Sequence, residues 1–282
     1  MKQHISRSYL FVPANRQDRF DKALQSGAHS VIVDLEDAVP PAEKEAARAT
    51  VADWLRPDRP VLIRVNGTDT PWFRDDLAMC RLPGVAGIVL PKAERIDDIF
   101  LVECAAGTQC ILPLIETAQG ITNARVIAQA RYVERLMFGS IDFRLDLGIE
   151  GDGDELLHFR SQLVLASRLA NILPPVDGVT TEIVDQEQLL ADTVRARRLG
   201  FGAKFCIHPN QVETVNRGFC PSVEEVEWAK RVIQSSAATN GAAFALDGKM
   251  VDRPVILKAQ QILEESMRHN LNAAGVTGRT LV

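Results

Sequence analysis

The chain has 282 residues, a formal net charge of -5 and 46% hydrophobic residues, which is enough for one large domain with a well-buried core. Mild acidity without a dominant basic face argues against a nucleic-acid binder, but it permits an anionic small molecule held by a local cluster of Arg and Lys. No apolar run approaches the ~20 residues of a membrane-spanning helix, and the N-terminus is too polar for a signal peptide. We therefore expect no membrane partner, and the five scattered cysteines without a CxxC pair indicate reduced thiols of a cytoplasmic protein.

Short apolar, β-rich runs alternate with segments of helical apolar spacing from near the start to about residue 208. Three of the helical segments are 18–24, 43–55 and 186–199. The alternation predicts βαβ units, and about eight of them most simply close into a (β/α)8 TIM barrel of the α/β class, which typically needs ~250 residues. The alternative is a doubly wound open sheet, although no glycine-rich first turn supports one. The predicted strands are 9–12, 30–35, 61–65, 87–90, 110–115, 136–140, 177–181 and 203–207.

The pattern changes near residue 221. Ser222, followed three residues later by Glu225, has the form of a capping box and predicts the start of a helix. A stretch rich in Gly and Ala follows, and a last helix is predicted near the C-terminus. We therefore predict two domains, a barrel over 1–220 and a C-terminal helical flap over 221–282.

Two of the predicted strands each lead into a single acidic residue. The apolar run 111–115 is followed by Glu116, and the run 135–141 is followed by Asp142. We expect each carboxylate just beyond the C-terminal end of a buried parallel strand, which is where α/β barrels carry their chemistry. Two oxygen ligands suit a hard cation such as Mg2+, with Mn2+ as an alternative, because such ions leave other positions to water and substrate.

Other charged residues end the neighbouring predicted strands. The second strand leads into Asp34, Glu36 and Asp37 within four residues, and acids so close repel each other unless cations or hydrogen-bond donors lie beside them. Arg64 stands within an apolar strand, so it must pair with an acid, with a substrate carboxylate, or with both. The alternative is a set of structural ion pairs between strands. We favour a ring of acids around a metal, with cations for an anionic substrate.

With these and other short motifs in this order, the chain resembles the HpcH/HpaI aldolase and citrate lyase β-subunit superfamily. Within it, the chain is most similar to the CitE-like CoA-thioester lyases, which include malyl-CoA and citramalyl-CoA lyases. The similarity extends over nearly the whole chain, and the ordered set of motifs is specific where each motif alone is weak. The matching segments are RSYLFVP at 7–13, DLEDAV at 34–39, RVNG at 64–67, LPK at 90–92, LIET at 114–117, GSIDF at 139–143 with DLG at 146–148, and IHPNQ at 207–211.

The resemblance implies a role for each charged residue of the barrel mouth. Glu116 and Asp142 match the two Mg2+ ligands, and Arg64 matches the arginine that holds the keto-acid product. Glu36 and Asp37 match acids at the edge of the site that contact metal-bound water. The resemblance therefore implies a Mg2+ cofactor at the mouth of the barrel.

The resemblance also implies binding of CoA and an oligomer. Arg16 and Lys22 match positions at which family members bind the phosphates of CoA. Asp252 lies in a segment resembling a C-terminal motif whose aspartate reaches the active site, often that of a neighbouring subunit in a trimer. The alternative for Asp252 is an N-cap, because Arg253-Pro254 follow it at a predicted helix start. The implied partners are a CoA thioester, a small 2-keto acid and further copies of the chain in a homotrimer or hexamer.

The reaction that the resemblance implies is reversible retro-Claisen cleavage of a β-hydroxyacyl-CoA, of the malyl-CoA or citramalyl-CoA type, to an acyl-CoA and a 2-keto acid. Asp252 is the expected group that exchanges a proton with the enolate carbon. Three alternatives stay open. They are a citrate lyase β subunit acting on a carrier-bound citryl group, a malyl-CoA thioesterase, and a class II aldolase acting on free keto acids.

Overall fold

The computed structural model describes residues 6–107, 110–238 and 242–277. The chain forms two compact units, of which the first ends at Phe219 and the second begins at Cys220. None of the helices in the described ranges is long and apolar enough to span a membrane.

Eight parallel strands of the first unit close into a barrel in the order in which they occur along the chain. At the point of closure, Tyr9 of the first strand pairs with Phe205 of the eighth. The predicted (β/α)8 barrel of the α/β class is therefore confirmed. The strands are β1 (Ser8–Pro13), β2 (Ser30–Asp34), β3 (Val61–Arg64), β4 (Val85–Leu90), β5 (Ile111–Ile115), β6 (Arg135–Phe138), β7 (Leu173–Asp177) and β8 (Ala203–Cys206).

Helices connect successive strands, and local capping explains where several of them begin and end. The helix predicted over 186–199 is observed without change: the side chain of Asp185 accepts hydrogen bonds from two backbone amides at its start, and Gly200 ends it in the left-handed conformation. The helices of this unit are α1 (Phe20–Leu24), α2 (Lys44–Trp54), α3 (Phe73–Met79), α4 (Ile96–Ala106), α5 (Ala118–Ala128), α6 (Ser140–Leu147), α7 (Leu157–Leu169), α8 (Gln186–Leu199) and α9 (Val212–Gly218).

Side chains from all eight strands fill the interior of the barrel. Because successive residues of a strand point to opposite faces, Leu62 joins this interior cluster whereas Ile63 packs in the larger cluster beneath the helices. The barrel is thus a packed core and not a pore. A ligand is therefore expected at the C-terminal ends of the strands, where the loops open.

The seventh strand differs from its prediction, because it spans Leu173–Asp177 and not 177–181. Its two consecutive prolines lack N–H donors, yet their carbonyl groups still take part in the barrel. Pro175 accepts a hydrogen bond from the amide of Gly202 at 3.0 Å, and Pro174 accepts one from the buried guanidinium of Arg135. The prolines remove donors only, so the strand tolerates them here.

The sixth strand is also shorter than predicted. β6 ends at Phe138, and Ser140 begins α6 instead of ending the strand. Asp142 therefore lies in the first turn of a helix and not directly beyond a strand. This placement suits a carboxylate, since the N-terminus of a helix carries partial positive charge.

The second unit contains α10 (Val223–Ala238), a two-stranded hairpin of β9 (Phe244–Leu246) and β10 (Lys249–Val251), and α11 (Arg253–Thr277). The predicted capping box of α10 is present: the amide of Glu225 donates to Ser222 Oγ at 3.2 Å, and the amide of Ser222 donates to Glu225 Oε2 at 2.8 Å. The hairpin was not predicted from the sequence, although Asp247-Gly248 at its turn is a recognised hairpin signal.

Candidate active site

A cavity of about 910 Å³ opens at the C-terminal ends of the barrel strands. It brings together most of the site residues predicted from the sequence, although they lie far apart along the chain. Glu36 is the exception within the barrel, since it is buried and does not line the cavity. The predicted residues that line the cavity are Arg16, Lys22, Asp37, Arg64, Glu116 and Asp142.

Glu116 is the most deeply buried acid of the cavity wall, with 1% of its surface exposed. Its Oε1 accepts a hydrogen bond from the backbone amide of Lys92 at 2.7 Å. Burial and the nearby carboxylate of Glu36 raise the pKa of Glu116 to about 8; Arg64 opposes this rise, and Asp142 adds to it. The surroundings therefore disfavour its negative charge unless a cation is bound beside it.

Arg64 is held by three carboxylates, as its position within an apolar strand predicts. Its Nε and Nη2 each donate to an oxygen of Asp34 at 2.7 Å, and its Nη1 lies 3.0 Å from Glu36 and 3.3 Å from Asp37. Burial alone would lower the pKa of Arg64, but the three acids outweigh it and raise that pKa. The guanidinium also lies over the ring of Phe11 at 4.9 Å, so its plane and direction are constrained.

Asp34 is the main partner of Arg64, a role that was not predicted from the sequence. It is buried, and in addition to Arg64 it accepts the backbone amides of Glu36 at 2.9 Å and Ala38 at 3.3 Å. The available signal was its position as the last residue of an apolar run, opposite Arg64 in the neighbouring strand.

Glu36 is neutralised by two cations. Lys92 Nζ donates to its Oε1 at 2.7 Å, and Arg64 Nη1 lies beside its Oε2. Burial nevertheless raises the pKa of Glu36, with Arg64 opposing the rise. Its carboxylate therefore belongs to an ion-pair network with Arg64 and Lys92, and the predicted contact with metal-bound water stays a prediction.

The rim of the cavity on the side of β1 and α1 is basic. Arg16 pairs with Asp18 through two contacts of 2.9 Å, and Lys22 is exposed on α1. Arg19 also lines the cavity and was missed by the sequence analysis. Three cations around one carboxylate leave a net positive rim, which suits an anionic group such as a phosphate.

Asp252 belongs to the second unit and lies immediately before α11. Its Oδ1 is 3.4 Å from the backbone amide of Val255, and its carbonyl oxygen accepts the amide of Ile256 at 3.0 Å. Both contacts are those of a helix N-cap. The catalytic role expected from the resemblance stays a prediction.

The residues of the cavity fit a divalent cation held partly by protein. Among the residues described, no group of three or more His, Cys, Asp or Glu side chains could hold a metal ion. Glu116 and Asp142 both line the cavity, and burial, together with the nearby carboxylates of Glu36 and Asp142, raises the pKa of Glu116, so a bound cation would stabilise its charged form. Two carboxylates with room for water and substrate are the donor set that Mg2+ commonly uses.

The sequence and the fold of the chain are similar to those of known proteins. The family model of HpcH/HpaI aldolase/citrate lyase matches residues 7–209, which contain the whole cavity. The chain belongs to this family. Like its members of known structure, it is built on a barrel, and the family supports a general role as an enzyme.

Three relatives illustrate the range of this family. A citrate lyase subunit beta-like protein of Deinococcus radiodurans is 37% identical, with 92% of this chain and 96% of the relative covered. A (3S)-malyl-CoA thioesterase of Cereibacter sphaeroides is 35% identical, with 93% and 95% covered. The crystal structure of CitE from Mycobacterium tuberculosis, in complex with magnesium, acetoacetate and coenzyme A, has a TM-score of 0.84 and 34% identity and covers 93% of this chain and 98% of its own.

Proposed function

We propose that this protein is a Mg2+-dependent carbon-carbon lyase that cleaves a β-hydroxyacyl-CoA of the malyl-CoA or citramalyl-CoA type to an acyl-CoA and a 2-keto acid. One observation carries the proposal: a single cavity combines the carboxylates of Glu116 and Asp142 with the constrained guanidinium of Arg64 and a basic rim. A family member binds magnesium, a keto acid and coenzyme A together, which are the three ligand classes that these features suit.

Glu116 and Asp142 would hold the cation. The bound Mg2+ would supply Lewis-acid stabilisation of negative charge on the substrate's oxygen atoms. Arg64 would bind the substrate carboxylate, because a planar guanidinium orients a carboxylate as well as attracting it. Asp34 keeps the guanidinium in a fixed direction, so less freedom is lost when the substrate binds.

The cleavage step then needs only proton transfers from the protein. The hydroxyl group of the substrate would lose its proton to solvent water, its oxygen would become the carbonyl of the 2-keto acid, and the bond between the two carbon atoms would break. The electron pair of that bond moves onto the thioester as an enolate, whose carbon must take up a proton. We propose Asp252 as the acid that delivers it, from the same subunit or from a neighbouring subunit of a homotrimer or hexamer.

The basic rim would bind CoA. Arg16 and Lys22 would contact its phosphates, whose charge matches the rim. Replacing both residues with alanine should raise the KM for the CoA ester about tenfold or more while leaving metal affinity within about threefold. An unchanged KM would place the CoA elsewhere.

A malyl-CoA thioesterase is the second candidate, because a relative 35% identical over 271 residues carries this name. The same site would then direct water at the thioester carbonyl, and the products would be malate and CoA. A citrate lyase β subunit and a class II aldolase on free keto acids are alternatives for which no contact in the cavity argues specifically.

The deciding experiment follows two products separately. Purified protein with Mg2+ is given malyl-CoA, β-methylmalyl-CoA, citramalyl-CoA and citryl-CoA, and keto acid and free thiol are both measured. Keto acid without free thiol, abolished by EDTA and by Glu116→Gln, supports the lyase and names its substrate. Free thiol without keto acid supports the thioesterase, and no product from any ester favours a carrier-dependent subunit or an aldolase.

A further inference from the structure

One non-glycine residue beside the cavity has a backbone conformation that L-residues seldom adopt. Lys92, with φ of 47°, follows the C-terminal end of β4. Of the other non-glycine residues with positive φ in the described part of the chain, Tyr132 and Asn171 precede β6 and β7 at the opposite end of the barrel, and Asp247 lies in the hairpin turn. Such strain persists only where the surroundings impose it, and it is concentrated at functional sites.

The strained backbone aims an amide at Glu116. The N–H of Lys92 donates to Glu116 Oε1 at 2.7 Å, whereas the next amide, that of Ala93, donates to the carbonyl of Leu114 at 3.2 Å. The second bond continues the pairing of β4 with β5. The chain therefore turns one amide away from the sheet, towards the side chain that follows β5.

The opposite side of Glu116 is confined as well. A Cβ atom added to Gly139 would lie 2.6 Å from the Cβ of Glu116 and would also collide with its Oε2. The glutamate is thus held between the amide of Lys92 and the bare backbone of Gly139. Because one oxygen is bound to the amide, the other is the oxygen left for a cation.

The side chain of Lys92 explains why this strained position is not a glycine. Its Nζ donates to Glu36 Oε1 at 2.7 Å, which ties a second acid of the network to the same residue. A glycine would adopt the conformation without strain but could not make this bond.

We propose that Lys92 is a positioning residue of the metal site, whose left-handed backbone directs its amide at Glu116 and so selects the oxygen that faces the cation. The proposal rests on the proposed function only for the presence of a divalent cation between Glu116 and Asp142. It concerns the backbone of Lys92 and is separate from the charge of its side chain.

The test compares substitutions that differ in their tolerance of positive φ. The dissociation constant for Mn2+, a spectroscopic substitute for Mg2+, is measured by electron paramagnetic resonance for the wild type, Lys92→Gly and Lys92→Val. Glycine tolerates the left-handed region and a β-branched residue does not. Both variants lose the bond from Nζ to Glu36, so the comparison between them isolates the backbone, and we expect Lys92→Gly to bind Mn2+ about tenfold or more tightly than Lys92→Val. If Lys92→Val does not fold, Lys92→Thr, which is branched in the same way, replaces it.

Two other results of the Mn2+ measurements would overturn the proposal. Equal affinity of the glycine and the β-branched variant, whether both are weakened or both unchanged, would show that the backbone conformation has no part in metal binding. A wild type that binds no Mn2+ would overturn it as well. Wild-type binding that depends on Glu116, together with no cleavage of any CoA ester, would leave the role of Lys92 intact and refute only the proposed reaction.

Discussion

The pair formed by Asp34 and Arg64 offers a quantitative test of how the site is built. In Asp34→Asn, one neutral amide replaces a buried carboxylate that accepts two guanidinium bonds of 2.7 Å. Removing one partner of a buried pair costs about 3–5 kcal/mol. Glu36 and Asp37 still lie beside Nη1, so we expect the lower end, about 3 kcal/mol, in the free energy of unfolding.

The matched control is Asp75→Asn. Asp75 also pairs with an arginine, Arg48, at 3.2 Å, but 70% of its side chain is exposed. An exposed pair contributes only about 0–1 kcal/mol, so this variant should unfold almost as the wild type does. Urea unfolding followed by circular dichroism at pH 7 measures both variants under the same conditions.

Asp34→Asn also tests the function of the pair formed by Asp34 and Arg64. If Asp34 fixes the direction of Arg64, Asp34→Asn should lower kcat/KM for the CoA ester about tenfold or more, while Mn2+ affinity stays within about threefold. A loss of unfolding free energy below about 1 kcal/mol, or a loss no larger than that of Asp75→Asn, would refute the argument that Asp34 compensates a buried charge.

Three further predictions concern the metal site and the second unit. The raised pKa of Glu116, about 8, means that the folded, metal-free protein binds an extra proton between about pH 4.5 and 8, so its unfolding free energy should fall with rising pH through this window. Glu116→Gln should remove that fall, on the order of a few kcal/mol by pH 9, and an unchanged pH profile of unfolding would contradict the burial argument. Gly139→Ala should displace Glu116 and weaken Mn2+ binding about tenfold or more, whereas Gly153→Ala, whose new methyl group would meet only one atom at 3.5 Å, should bind as the wild type does. Asp252→Ala should lower turnover about 100-fold or more if it protonates the enolate, whereas Ser222→Ala, which removes the cap of α10, should cost about 1 kcal/mol of stability and no turnover. Normal turnover in a folded Asp252→Ala protein would leave this residue with its capping role alone.

Most strands and a helix cap could be predicted from the sequence, because they depend on residues that are close together along the chain. Strands buried on both faces are continuous apolar runs, so seven of the eight predicted strands overlap the observed ones over most of their length. The capping box of Ser222 and Glu225 depends on residues three positions apart, so it could be predicted in the same way. The resemblance that the ordered motifs carry likewise implies Glu116 and Asp142 as the metal ligands, which stays a prediction.

Only the tertiary structure determined the contacts, the burial and the pKa values of these residues. The pairing of Asp34 with Arg64 joins positions 30 residues apart, and Lys92 reaches Glu36 across 56 residues and Glu116 across 24. The raised pKa of Glu116 follows from its burial and from acids on other strands. The periodicity of apolar residues predicts which face of a strand or helix a residue occupies. Desolvation and charge interactions depend instead on distances in space, and only closure of the barrel sets those distances.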